Sequence, residues 1–295
     1  MTGRLGPMDE TKLNPQRPPP GLYFVATPIG AARDITLRAL DILATADVLA
    51  AEDTRTLRHL MEIHGVPLNG RPVLAYHDHN APQIVPRLIG DLKAGKVVAY
   101  ASDAGTPLVS DPGFQLGRAA IAEGLPVHTA PGPSAVLAAL TLSGLPSDRF
   151  LFAGFPPDKQ GARRSFLQEM GKIPATLILF ESPKRIHRLL TEMCEEWGQN
   201  RNVVVCRELT KRFEEVTRGP VGQVTAAFAD RDVKGEIVVL VDRMEPGDTL
   251  VDLDGALDRA LVSLSVKDAV AQVTAETGLP RGQVYKAALA KGRSE

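Results

Sequence analysis

The segment Ser102-Asp-Ala-Gly-Thr-Pro-Leu-Val-Ser-Asp-Pro-Gly113 sets small turn-formers and two carboxylates, Asp103 and Asp111, directly behind the apolar run Lys96-Val-Val-Ala-Tyr-Ala101. A β-run that ends in Asp103 and turns through Gly105 and Pro107 places main-chain N–H groups and a carboxylate at the carboxyl edge of a sheet. That is where α/β proteins bind small ligands. The second turn, Asp-Pro-Gly, exceeds what joining a strand to a helix requires. Two further segments have the same character. Thr27-Pro-Ile-Gly30 follows the first apolar run, with Pro28 fixed in φ and Gly30 free to take positive φ. Pro131-Gly-Pro-Ser134 follows a later one and opens a helix at Ala135. If the three preceding runs belong to one sheet, all three loops converge at one edge.

Several chemistries are excluded. There is no Gly-x-Gly-x-x-Gly after the first strand, no phosphate-binding Walker loop and no Gly-x-Ser-x-Gly elbow. His77-Asp-His79 is the one close histidine pair, and without a third nearby ligand it points to hydrogen bonding rather than to a metal. Cys194 and Cys206 make neither a disulfide framework nor a zinc spacing. Lys and Arg total 34 against 35 Asp and Glu, so any basic surface for a polyanion is local rather than global. No apolar run reaches the roughly 20 residues that span a bilayer, and no signal-peptide core is evident, which predicts a cytoplasmic protein with no membrane partner.

The elements that must hold these loops alternate. Apolar runs at 22–26, 47–51, 73–76, 97–100 and 127–130 are interleaved with helical patterns such as 36–44 and 114–123, the βαβ order of a largely parallel sheet. A second unit carries strands at 150–153, 176–180, 203–206, 213–218 and 236–241 and a helix over 183–197; its consecutive late strands predict a mixed sheet. The 295 residues, 44% apolar, therefore divide into two α/β domains, 21–132 and 133–244. A proline-rich, disordered tail is expected over 1–20. A helical extension is expected over 250–295, where Ser265-Val-Lys-Asp268 reads as a capping box and the last two helices have helix-turn-helix spacing.

Eight segments in order carry a specific resemblance: Thr27-Pro-Ile-Gly30, Ala51-Glu-Asp-Thr-Arg55, Tyr76-His-Asp-His-Asn80, the Ser102 loop, Pro131-Gly-Pro-Ser-Ala135, Phe180-Glu-Ser-Pro-Lys-Arg185, Arg207-Glu-Leu-Thr-Lys211 and Lys234-Gly-Glu-Ile237. Over about residues 22 to 241 the chain resembles the tetrapyrrole methylase superfamily, and within it the subgroup that modifies ribosomal RNA. The resemblance implies two α/β domains forming a homodimer, S-adenosylmethionine as methyl donor, and as substrate 16S rRNA in the small ribosomal subunit. It places the methyl group on the ribose 2′-oxygen of a cytidine in the decoding region. The alternatives are a tetrapyrrole C-methyltransferase, which shares fold and cofactor, and a non-catalytic RNA-binding assembly factor.

Carried over by motif, the cofactor contacts fall on Pro28, Ala104, Gly105, Thr106, Val109, Ser134 and Ala135, with Glu181 and Leu209 contributed from the second domain. Small residues let the main chain approach the ligand, and a helix N-terminus suits its carboxylate. Asp103, Glu208 and Lys211 are the candidate catalytic groups for removing a hydroxyl proton. Arg55, Arg163, Arg164, Lys184 and Arg185 are the candidate RNA contacts. The chain departs from the subgroup in having Ala31-Ala32 where Asn-Leu is common and Lys184 where histidine is usual.

Overall fold

The computed structural model describes residues 16–244, 253–277 and 281–291. They group into two compact units, one formed by residues up to Ala138 together with Leu209–Phe213, the other by the remainder. The short 209–213 excursion is a feature that a linear division of the chain does not anticipate.

The first unit runs β1 (Gly21–Val25), α1 (Leu37–Thr45), β2 (Val48–Ala51), α2 (Thr54–Ile63), β3 (Val73–Ala75), α3 (Ala81–Lys93), β4 (Val97–Ala101), α4 (Phe114–Ala122), β5 (Val127–Ala130) and the start of α5 (Ala135–Ser143). Its five strands pair in the order β3-β2-β4-β1-β5, and every pairing is parallel. β1, β2 and β4 are buried along their whole lengths, as a sheet covered on both faces requires. Alternate residues separate the two faces. Tyr23, Val25, Leu49, Ala51, Val97 and Ala99 pack with Leu40, Leu43, Leu57 and Met61 of α1 and α2. Leu22, Phe24, Val48, Ala50, Val98 and Tyr100 pack with Leu88, Leu92, Leu116 and Ala120 of α3 and α4. Two of the helices, α1 and α2, start where a side chain satisfies one of their first N–H groups: Thr36 accepts from Ala39 N–H, and Asp53 from Arg55 N–H.

Residues 16–20 do not behave as a free tail. Arg17 reaches Asp47 at 2.6 Å, and the Tyr23 hydroxyl donates to the Pro19 carbonyl at 2.9 Å. The rest of the expected tail, 1–15, lies outside the described residues.

The second unit contains β6 (Phe150–Gly154), α6 (Gln160–Met170), β7 (Thr176–Glu181), α7 (Ile186–Trp197), β8 (Asn202–Arg207), β9 (Glu215–Pro220), α8 (Val221–Phe228) and β10 (Ile237–Val241). Its sheet order is β6-β7-β10-β8-β9, parallel only between β6 and β7, and so mixed as expected. Leu167, Leu189, Met193, Val224 and Phe228 of α6, α7 and α8 cover one face through Leu177, Val205 and Val239. Three C-terminal helices, α9 (Leu253–Leu261), α10 (Val266–Thr277) and α11 (Arg281–Lys291), share a small core of Leu257, Val270, Val273 and Val284. α10 opens as read from the sequence. Ser265 Oγ accepts from Asp268 N–H at 3.3 Å, and its hydroxyl donates back to the Asp268 carboxylate at 2.6 Å. The Gly278-Leu-Pro280 turn expected after it lies outside the described residues.

Candidate functional site

Because all five strands of the first sheet are parallel, the loops that follow them leave from one edge. The loops after β1 and β4 are tied together there. Thr27 N–H donates to the Gly105 carbonyl and Gly105 N–H to the Thr27 carbonyl, both at 3.0 Å, a two-bond bridge beyond the ends of the strands. Buried side chains reinforce it: Thr27 Oγ1 donates to the Ser102 carbonyl at 3.0 Å and Ser102 Oγ to the Gly105 carbonyl at 2.5 Å. The loop after β5 joins through Thr106 Oγ1, which donates to the Pro133 carbonyl at 2.9 Å.

Gly105 has φ +84°, and a Cβ there would stand 3.3 Å from Ile29 Cγ2. The same loop holds Leu108 and Ser110 at φ 72° and 56°, a conformation that non-glycine residues adopt only under constraint. Gly132 brings the third loop against Ala26, whose Cβ would lie 3.0 Å from a Cβ on Gly132. Ala104 is exposed, and the main chain from Pro131 runs into the N-terminus of α5 at Ala135. Within the first unit, Pro28, Ala104, Gly105, Thr106, Val109, Ser134 and Ala135 thus belong to three adjacent loops made of small side chains, open backbone and one helix start. That combination fits a ligand with an adenosyl ring system and an amino-acid carboxylate.

The turn after β1 differs in one respect from its sequence reading. Gly30 does not have positive φ. Its lack of a side chain serves close approach instead. A Cβ at Gly30 would meet Lys211 Cγ at 2.5 Å, Thr210 Oγ1 at 2.6 Å and the Leu209 carbonyl oxygen at 2.9 Å. The adjacent Ala31 N–H donates to Thr210 Oγ1 at 3.0 Å. Leu209 is buried, Thr210 has φ 61°, and Lys211 is thereby carried to the first turn. Gly30→Ala is expected to destabilise the protein by about 1–3 kcal/mol through overpacking, seen as a lower melting temperature.

The carboxylates are strongly differentiated. Asp103 Oδ1 accepts Asp53 N–H at 2.9 Å, tying the end of β2 to the β4 loop. Asp53 in turn grips Arg55 through the guanidinium, with its shortest contact 2.6 Å, and this bond with the Arg55 side chain holds the Asp53 carboxyl down at about 2. The Arg55 side chain is 89% exposed, so the clamp aims a fixed cation at solvent. Asp111 accepts from the Tyr100 hydroxyl at 3.0 Å, yet burial pushes its carboxyl up to about 6, with Glu52 and Asp103 adding to the rise. An acid whose folded pKa is raised holds a proton that the unfolded chain has lost, so stability falls as pH rises from about 4 to about 6. Allowing for its partial exposure, the loss is about 1–2 kcal/mol. Asp111→Asn should flatten this slope in melting temperatures measured across that range.

A recess of about 150 Å³ adjoins the first turn, lined by Thr27, Pro28, Gly30, Ala32, Thr56, His59, Leu60, Ile63 and Asp103. Among the described residues no group of His, Cys, Asp and Glu is arranged to hold a metal ion, and no helix is long and apolar enough to cross a membrane.

Two candidate residues of the second unit are more enclosed than the sequence reading expects. Arg163 is not a surface cation. It is 1% exposed and makes a two-pronged pair with Glu192, at 2.5 and 2.7 Å, while also donating to the Pro157 and Asp158 carbonyls at 3.0 and 2.7 Å. Glu181, read as a cofactor contact, is buried and turned inward; its carboxylate accepts Ser182 N–H at 2.7 Å and lies 2.8 Å from Arg185 Nε. Arg185 also meets Asp158 and the Pro156 carbonyl, and Arg164 pairs with Glu195. Lys184 is exposed. Glu208, at φ 51°, packs on Gly235 and accepts Glu236 N–H at 2.9 Å. Of the five expected RNA contacts, Arg55 and Lys184 present the most open charge. The tether of Thr210 and the tie from Asp103 to Asp53 had no signal in residue spacing, since each joins segments distant in the chain.

The family profile described as Tetrapyrrole (Corrin/Porphyrin) Methylases matches residues 21–225, and one described as RsmI C-terminal HTH domain matches residues 248–292. The chain is 48% identical over 270 residues to "Ribosomal RNA small subunit methyltransferase I" of Mesorhizobium japonicum, covering 91% of this chain and 90% of that one. It is 44% identical to the protein of the same name from Xylella fastidiosa, covering 90% and 98%. Among solved structures it resembles uroporphyrin-III C-methyltransferase from Thermus thermophilus complexed with S-adenyl homocysteine, with a TM-score of 0.52 and 20% identity over 75% of this chain and 97% of that one.

Proposed function

The chain belongs to the tetrapyrrole (corrin/porphyrin) methylase family, and from that membership we propose that it methylates small-subunit ribosomal RNA with S-adenosylmethionine as donor. The carrying observation is the match to relatives named for that activity at 48% and 44% identity, over nine-tenths or more of both chains. The match to the C-terminal helical profile supports the rRNA substrate over a tetrapyrrole. More finely, the acceptor is the ribose 2′-oxygen of a cytidine in the decoding region of 16S rRNA within the small subunit, and the enzyme works in the cytoplasm as a homodimer.

The three-loop edge of the first unit suits the donor. Pro28, Ala104 to Thr106 and Val109 would lie along it through main-chain groups, and Ser134 and Ala135 would meet its carboxylate. When bound, the donor supplies an electrophilic methyl group on a sulfonium. The protein's work is then to align an oxygen with that methyl and to relieve it of its proton. Asp103 and Lys211 border the first turn, and Arg55 and Lys184 offer phosphate contacts.

The test is incubation with labelled S-adenosylmethionine and small subunits lacking the modification, followed by nucleoside mass spectrometry of the 16S rRNA. A 2′-O-methylated cytidine is expected. Label that enters a porphyrinogen and never the subunit would overturn the substrate assignment.

A further inference from the structure

A single exposed apolar side chain is ordinary, but one whose exposure is built into the backbone is not. Phe155 is of the second kind. It follows β6, the outer strand of the second sheet, which pairs with β7 alone. The register holds from Phe150 to Phe152 and then shifts, so that Ala153 is an extra residue and Gly154 meets Leu179. Such a bulge bends an edge strand and re-aims the side chains at its end. Gly154 adds a φ of +69°, and Pro156 and Pro157 stiffen the chain just beyond the ring.

Phe155 is thereby carried onto the neighbouring strand. Its ring centroid lies 5.6 Å from that of Phe180 in β7, and Phe180 in turn lies 4.7 Å from Phe152, both edge-on contacts. Braced on that side, Phe155 is still 54% exposed. Arg185, at the start of α7, fixes the next residue, since its guanidinium donates to the Pro156 carbonyl and pairs with Asp158. The same guanidinium lies against the buried Glu181 carboxylate. One arginine therefore answers both acids of this corner. Lys159, on the segment after the ring, and Lys184, beside Arg185, are exposed and pair with no acid among the described residues.

A lone rigid ring whose adjoining segments carry unpaired lysines is a poor match for a protein partner. Protein contact surfaces are contiguous and depleted in lysine. It matches single-stranded nucleic acid, in which bases stack on aromatic faces and cations meet the phosphates between them. We propose that Phe155 is a stacking platform for an unpaired base of the substrate rRNA, with Lys159 and Lys184 contacting the phosphates on either side. This rests on the rRNA methylation reading above. Arg185 is a positioning residue in this scheme, holding the loop on which the ring stands.

The experiment uses the full chain and unmethylated small subunits, with Phe155→Ala, Phe155→Leu and Phe155→Trp as variants. Without donor, the alanine and leucine variants should each bind subunits about 10-fold or more weakly, whereas the tryptophan variant stays within about threefold of wild type. Leucine is the sharper control, because it keeps apolar area and loses the aromatic face. Emission from Phe155→Trp should be quenched as subunits are added. The wild type should change little, since its one tryptophan, Trp197, is 6% exposed and donates to the Leu167 carbonyl at 3.0 Å. Wild-type subunit affinity in Phe155→Leu, or a bound Phe155→Trp whose emission does not move, overturns the proposal. So does a Phe155→Ala that loses affinity for S-adenosylmethionine instead, which places the ring against the donor, or one that changes its oligomeric state instead, which places it against a second copy. Wild-type protein that labels no subunit defeats the rRNA reading itself and the platform with it, a result distinct from labelling that is indifferent to Phe155.

Discussion

Gly105→Arg is expected to abolish binding of S-adenosylmethionine, so that calorimetry on the purified variant should show no heat where the wild type gives a full isotherm. Two effects combine. Gly105 sits at φ +84°, where a side-chain-bearing residue loses about 1–2 kcal/mol. More important is the direction of the new side chain. Its Cβ starts 3.3 Å from Ile29 and 3.7 Å from the Pro133 carbonyl, so it grows between the first and third loops of the edge proposed to take the donor. The Thr27–Gly105 bridge uses only main-chain atoms and survives the substitution in kind, so the variant should fold, with a melting temperature only modestly reduced. Methyl transfer to small subunits should fall about 1000-fold or more. Undiminished donor affinity would remove this loop from the site.

The other large effect lies away from the donor loops and is one of stability. Arg163→Ala leaves the Glu192 carboxylate buried and unpaired, and orphans the Pro157 and Asp158 carbonyls as well. Breaking a buried pair in this way costs about 3–5 kcal/mol, or roughly 6–20 °C in melting temperature for domains of this size. The double variant Arg163→Met with Glu192→Leu should recover most of that loss, because two apolar side chains replace both charges at once. RNA affinity per folded molecule should stay unchanged in either case, since the guanidinium is not presented to solvent. A folded, stable Arg163→Ala with weakened RNA binding would return this arginine to the substrate surface.

Arg163 also marks where reading the sequence stops. Strand and helix order were legible, because β1, β2 and β4 are unbroken apolar runs and the helices between them keep their periodicity. The turn residues that follow β1, β4 and β5 were legible for the same reason: Gly, Pro and Asp in a short loop have few other uses. The direction a cation faces was not. Arg163 and Arg164 are neighbours in a basic cluster, but one points into the core toward Glu192 and the other pairs at the surface with Glu195, a distinction made by helix phase and by α7 some 30 residues later. Gly30 was read as a residue free to take positive φ, whereas its missing side chain makes room for the passage of Leu209–Lys211. Close approach between segments 180 residues apart leaves no trace in local spacing. Asp111 needed the structure too, because its raised carboxyl comes from enclosure rather than from an adjacent charge in the chain.

The loops suited to the donor come from three separate stretches of chain, whereas β2, α2, β3 and the turn beyond it occupy one continuous stretch, from Val48 to Asn80. A substitution or insertion confined to that continuous stretch changes no residue of the loops after β1, β4 and β5. Variation in that stretch is thereby separable, along the linear chain, from variation in the loops at the ends of β1, β4 and β5.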